Sequence, residues 1–120
     1  MNKYPDPDRT KALYIISVAA ELAEVSATSL RRYERAGLLA PSRTRGGVRL
    51  YSDQDVLVLR QIRHLTDEWG ASMTGITAAL QLTQHLLALR ELLQTEGYRQ
   101  VDQNQRALAE IDEALGILGR

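Results

Sequence analysis

The segment SATSLRRYERAGLL, Ser26 to Leu39, decides how the rest of the chain is read. Ser26 is a strong helix N-cap, because its side-chain oxygen can accept from an N–H that the first turn leaves open. Leu30 and Tyr33 are three apart and share the inner side of a short helix ending near Ala36. Gly37 stops that helix, as the residue that enters the left-handed conformation without a Cβ penalty. Thr28, Arg31, Arg32 and Arg35 lie on the face opposite Leu30. One side of the helix is apolar and the other cationic.

Working upstream, Leu13 to Ile16 is a short apolar run that reads as a strand. Ser17 is placed as the N-cap of a helix over Val18 to Ala23, where strong helix formers follow one another. Val18 and Leu22 are four apart and share a face. Glu24-Val25 is a tight connection to the segment above. Two short helices joined by a few residues form a helix-turn-helix pattern. Met1 to Thr10 is polar and contains Pro5 and Pro7, so residues 1–12 are expected to form a flexible tail.

Working downstream, Pro41 prevents helical continuation after Leu38-Leu39-Ala40. Two strands are expected around Arg43-Thr44 and Val48 to Tyr51, hinged at Gly46-Gly47, a pair suited to hairpin turns. This is a β wing. Ser52 with Asp55 three residues on resembles a capping box, opening a helix from Asp53 to about Asp67. Val56, Leu59 and Ile62, with Leu65 or Arg63 beyond, give that helix its inner face. Trp69 is expected to plug the junction before a fourth helix, which Gly70 separates, Ser72 caps and Ile76 and Leu80 anchor through about Leu82.

The last third differs in kind. Leu82, Leu86, Leu89 and Leu93 step by four, three and four, and Val101, Leu108, Ile111, Leu115 and Leu118 continue at heptad-like steps. The two halves are out of phase by one position at Glu96-Gly97-Tyr98. Either the helix is locally overwound there or it breaks into two pieces; one long helix with a defect at Gly97 is the expectation. Leu86, Leu89, Leu93, Val101, Leu108, Ile111, Leu115 and Leu118 are the candidate dimerisation residues. The fold expected is mostly α: a winged helix-turn-helix head over residues 13–82 with a small β wing, then a long C-terminal antiparallel coiled-coil dimerisation helix over 83–118.

Charge and composition narrow the function. The formal net charge is zero, but it is polarised. From Ser26 to Arg63 eight Arg face three acids, whereas from Glu91 to Ala114 six acids face two Arg. A basic head beside an acidic remainder is the distribution expected of a nucleic-acid binder. The sequence has no cysteine, which removes disulfides, thiolate metal sites and thiol redox sensing. His64 and His85 have no partners at metal spacing, and no nucleophile with its base or phosphate-cradling loop is present, so no cofactor, metal or enzymatic activity is expected. With no secretory signal or membrane-length apolar run, a cytoplasmic, nucleoid-associated protein is expected. A head of about 70 residues buries only a marginal core, which favours association with a second chain.

Three Arg on a helix would ordinarily do no more than solubilise it. Here they stand beside a capped preceding helix and a basic hairpin, and that combination makes a DNA-contacting face. Arg can bond guanine edges in the major groove or grip phosphates. The candidate DNA contacts are Ser17, Thr28, Arg31, Arg32, Tyr33, Arg35, Arg43, Arg45, Arg49 and Arg63.

The runs Ile16-Ser-Val-Ala-Ala-Glu-Leu-Ala23, Thr28-Ser-Leu-Arg-Arg-Tyr-Glu-Arg-Ala-Gly-Leu-Leu39 and Pro41-Ser-Arg-Thr-Arg-Gly-Gly-Val-Arg-Leu-Tyr-Ser52 resemble the MerR family of regulators over about residues 14–82. Within it, Arg-Thr-x-Gly-Gly in the wing and Asp67-Glu68-Trp69-Gly70 look most like the HspR heat-shock repressors. The resemblance implies that Arg31, Tyr33 and Arg49 touch DNA. It also implies a dimeric repressor of chaperone and protease genes, bound to an inverted-repeat operator in double-stranded DNA with the chaperone DnaK as co-repressor. Arg32 and Val48 depart from the common pattern. Relatives that sense metals use cysteines after the dimer helix, and drug-sensing relatives append a ligand domain. Neither is expected here, which favours control by a protein partner, temperature or dimer concentration. The competing expectations are a regulator of other genes that senses a small ligand, and a protein-interaction adaptor working through its coiled coil.

Overall fold

The structure, a computed structural model, describes residues 11–96 and 101–120, with backbone alone at 96 and 101–103. It falls into two compact units that divide after Arg63. The order of elements is β1 (Ala12–Ile15), α1 (Ile16–Ala23), α2 (Ala27–Arg35), β2 (Ser42–Arg43), β3 (Arg49–Ser52), α3 (Asp53–Trp69), α4 (Met73–Glu96) and α5 (Val101–Ile117). The protein is mostly helical with one small sheet, as the sequence led us to expect.

In the first unit the sheet has the order β1-β3-β2, with both pairings antiparallel. The wing is thus one edge of a three-stranded sheet. Tyr14 pairs with Tyr51 and Ile15 with Leu50, whereas β2 contributes only the pairs Ser42 with Leu50 and Arg43 with Arg49. At the wing turn Gly47 takes φ +81 and its N–H donates to the Thr44 carbonyl at 2.9 Å.

Helix α1 starts one residue before the expected cap. Ile15 occupies the N-cap position with no side-chain bond, and Ser17 lies inside the first turn. The strand runs directly into the helix, so Ser17 is itself helical and Ile15 is the residue with the extended backbone that a cap position requires. Ala19, Ala20 and Ala23 form the buried side of α1, and Val18 and Leu22 are partly exposed. Small side chains let α1 sit close to its neighbours, so the larger apolar residues are turned to the flank. The helix ends in a Schellman bond, Val25 N–H to the Ala20 carbonyl at 3.0 Å, with Glu24 held at φ 58.

Helix α2 is capped as expected: the Ser29 N–H donates to Ser26 Oγ at 3.0 Å. It closes with Leu38 N–H to the Tyr33 carbonyl at 3.1 Å across Gly37, whose φ is +80. The capping box opening α3 also forms. Asp55 N–H donates to Ser52 Oγ at 3.0 Å, and Ser52 N–H donates to Asp55 Oδ2 at 2.9 Å. Leu30, Tyr33, Leu39, Tyr51, Val56, Leu59 and Ile62 complete the buried apolar set of this unit. Each fully buried Leu or Ile contributes about 1.5–3 kcal/mol, enough in sum to fix the orientation of α2.

The second unit takes in the end of α3 with α4 and α5. Ser72 caps α4 through the Gly75 N–H at 3.1 Å. Nothing between Met73 and Glu96 breaks that helix, so the boundary expected at 82/83 falls inside α4. The slip at Gly97 lies outside the described residues, but the helices flanking it are not one rod. Arg90 Nη1 meets Asp112 Oδ1 at 3.3 Å, and Asn104 Nδ2 donates to the Leu93 carbonyl at 3.3 Å. In a straight helix residues 90 and 112 would stand ~33 Å apart. The chain therefore doubles back, and α4 and α5 form an antiparallel pair. Ile111 and Leu115 are buried in this unit together with Leu65, Ile76 and Thr83. Trp69 does not plug a junction: it is 62% exposed, with its indole N–H donating to the Ile117 carbonyl at 3.2 Å.

Candidate nucleic-acid interface

The cationic side of α2 is open. Thr28, Arg31, Arg32 and Arg35 are all exposed, whereas Leu30 and Tyr33 between them are buried. Among the described residues Arg31 and Arg35 make no ion pair. They are four apart, one turn along the same side. Arg45 is likewise exposed and unpaired at the tip of the wing. Such groups are hydrated in the free protein and can exchange water and counterions for phosphate or a base edge. The Arg32 guanidinium lies 5.4 Å from the ring centre of Tyr33. Tyr33, expected on the DNA side by resemblance, is only 4% exposed and packs in the core.

The other wing arginines are turned inward onto one carboxylate. Glu34, on the inner flank of α2, is 14% exposed. Arg49 Nε lies 2.9 Å from its Oε2 and Arg43 Nη2 lies 3.4 Å from its Oε1. The Tyr51 hydroxyl donates to Oε2 at 3.1 Å, and Arg43 Nη1 also donates to the Gly47 carbonyl at 2.9 Å. Glu34 therefore joins both strands of the wing to α2. Tyr51 is fully buried, and burial together with its bond to Glu34 pushes its hydroxyl pKa up to about 12. In the sequence alone Glu34 is one acid in a basic segment. Its place on the same helical side as Leu30, four residues on, was the available signal.

Arg60 and Arg63 serve different ends. Arg60 grips the Leu22 carbonyl with Nε at 3.1 Å and Nη2 at 2.9 Å, which satisfies an open group at the end of α1. Arg63 Nη1 pairs with Glu24 Oε2 at 2.9 Å, with both side chains well exposed. Elsewhere in the first unit, the Tyr14 hydroxyl donates to Asp53 Oδ1 at 2.6 Å, and that bond raises its pKa.

The candidate dimerisation residues are divided by the hairpin. Ile111 and Leu115 are buried within the second unit, and Leu86, Leu93, Leu108 and Leu118 are half-buried. The side chain of Val101 lies outside the described residues. Among the described residues of the set, only Leu89 is freely exposed, at 46%. It belongs to a second stripe on α4, formed by Ala78, Leu82, His85, Leu89 and Leu92, all exposed and spaced by four, three, four and three. That spacing is the a/d seam of a coiled coil. Heptad spacing in the sequence merges the two stripes of α4, because Leu86 and Leu93 sit one position from His85 and Leu92.

Comparison with known proteins agrees with this geometry. The profile of the MerR HTH family regulatory proteins matches residues 14–83. The heat shock protein HspR of Streptomyces coelicolor is 38% identical over 78 residues, which cover 65% of this chain and 52% of that protein. The transcriptional repressor CarH of Myxococcus xanthus is 45% identical over 76 residues, or 62% of this chain and 25% of that protein. The transcriptional regulator GlnR of Bacillus anthracis is 36% identical over 77 residues, covering 64% and 59%. The chain thus matches between a quarter and three-fifths of the length of these curated relatives. The crystal structure of a MerR-family transcriptional regulator from Bacillus cereus superposes with a TM-score of 0.51 at 28% identity, covering 83% of this chain and 78% of that one. The matched span holds the whole helix-turn-helix, the wing and α3. The chain belongs to the MerR family of helix-turn-helix regulatory proteins, which are DNA-binding regulators and not enzymes.

Proposed function

We propose that this chain is a sequence-specific DNA-binding regulator that works as a homodimer, with α2 in the major groove and the wing beside it. The observation that carries the reading is the pair of exposed, unpaired arginines Arg31 and Arg35 on one side of a capped helix. A helix of this width fits the major groove, and bidentate Arg contacts to guanine discriminate by about 1–3 kcal/mol each. The dimer forms through the Ala78–Leu92 stripe of α4, and its two heads read an inverted repeat. Half-sites in such an arrangement lie one helical turn or a multiple of it apart.

The physiological role is repression of heat-shock and chaperone genes in the cytoplasm, with a chaperone such as DnaK as co-repressor. What supports this finer reading is the likeness to HspR and the wing and pre-α4 motifs. Because CarH and GlnR match the same head at comparable identity, a different set of target genes is the second reading. Fragments of the source genome retained by the purified protein separate the two. Enrichment of chaperone operons, strengthened by added DnaK, is the expected result. Enrichment of unrelated promoters with no response to DnaK would overturn the heat-shock role.

A further inference from the structure

Arg49 engages Glu34 through Nε alone, the inner edge of its guanidinium. No bond from its outer nitrogens Nη1 and Nη2 is found among the described residues, and the side chain remains 33% exposed. A guanidinium is a rigid fork, so fixing Nε fixes the direction in which the outer pair points. Arg43 is held on both sides, by Glu34 and by the Gly47 carbonyl of its own wing turn. Tyr51, with no exposed surface, supplies the buried end of the same anchor. The carboxylate itself is too enclosed, at 14% exposure, to meet a ligand.

We propose that Glu34 is a positioning residue for DNA binding: it orients Arg49 so that its outer edge faces a backbone phosphate, and it sets the wing against α2. The inference rests on the DNA-binding reading above. It assigns the wing arginines unequal tasks. Arg49 contacts the backbone while held by Glu34, Arg43 braces the turn, and Arg45 at the tip makes a free contact.

Electrostatics alone predicts the opposite consequence for Glu34. Removing a negative charge from a DNA-facing surface and freeing two arginines should tighten binding to a polyanion. An orienting role predicts that binding weakens, because an unheld Arg must be ordered at the moment of contact. The sign of the effect therefore distinguishes the two.

The test uses the full chain and a duplex that the wild-type protein enriches from a randomised pool. Affinity is measured across a salt series for wild type, Glu34→Gln, Arg49→Ala, the double variant and Arg49→Lys, with thermal unfolding recorded for each. Glu34→Gln is expected to weaken binding roughly tenfold and to lower the salt slope by about 2, one for each protomer of the dimer, as Arg49→Ala does. The double variant should be no weaker than Arg49→Ala alone, since both changes remove one contact. Arg49→Lys keeps the charge but lacks the second edge, so it should lose nearly as much as Arg49→Ala; it carries the test where Glu34→Gln does not fold. Wild-type affinity in Glu34→Gln or Arg49→Lys, tighter binding in Glu34→Gln, or additive losses in the double variant would overturn the assignment to Glu34 while leaving DNA binding in place. Failure of the wild type to enrich any duplex would overturn both.

Discussion

Tyr51 shows how much one hydroxyl can record about its surroundings. Its pKa near 12 lies above the ordinary value of 10 because the neutral form is buried and bonded to Glu34. The stability gained from that shift is present in full below pH 10 and is lost as the pH climbs toward 12. Tyr14, raised through its bond to Asp53, acts in the same direction. Tyr51→Phe should lower stability at neutral pH by about 1.5–3 kcal/mol, the value of one hydrogen bond to a charged acceptor. It should also flatten the alkaline limb of the stability profile, as followed by chemical denaturation from neutral pH upward. An unchanged alkaline limb would place the loss of stability elsewhere. At this scale the sequence was only partly legible. Ser26, Gly37 and the Ser52/Asp55 box announce themselves because caps depend on neighbours three or four residues away. The Glu34 cluster does not, because it joins residues nine to seventeen apart through a fold that must already exist.

At the scale of the element, helix α2 and the wing turn are set by local devices whose strengths can be compared. Ser26→Ala removes the oxygen that holds the Ser29 N–H and should cost about 1 kcal/mol of stability, measured by thermal unfolding. In the wing only one of the two adjacent glycines is required by its conformation. Gly47 sits at φ +81 in open space, so Gly47→Ala should cost about 1–2 kcal/mol for the left-handed backbone alone. Gly46 has no such angle, and its nearest neighbour for an added Cβ is Thr44 Oγ1 at 3.8 Å. Gly46→Ala should be neutral or stabilise by about 0.4–1 kcal/mol. The Gly-Gly pair marked the turn in the sequence without saying which residue carried the strain. The inner face of helix α1 is hard to read in the sequence for a related reason. It is built of Ala19, Ala20 and Ala23, and small residues leave a weak periodic signal beside Val18 and Leu22.

At the scale of the whole molecule the C-terminal third was the least legible part. Heptad spacing reports that apolar residues share a face, but it does not say whether the covering helix comes from the same chain or from another. Here α4 carries two apolar stripes. One is covered within the chain by α5, through Ile111 and Leu115, and the other, through Leu82, Leu89 and Leu92, is exposed. Leu89→Glu on the exposed stripe should yield a folded monomer in analytical ultracentrifugation, whereas Leu115→Glu should unfold the second unit instead. Dimers persisting in Leu89→Glu would move the interface off this stripe. The charge segregation works at the same scale: a neutral chain becomes a DNA binder by gathering its cations on the head.

Binding of the DNA backbone and bases by the exposed arginines of α2 and the wing is tested most directly by the salt dependence of duplex binding by the intact protein, compared with Arg31→Ala. With several phosphate contacts in each half of a dimer, affinity should fall roughly 10³–10⁵-fold between about 50 and 200 mM salt. Arg31→Ala should weaken binding by about 1–3 kcal/mol. Binding that is flat in salt, or indifferent to the loss of Arg31, would contradict the account.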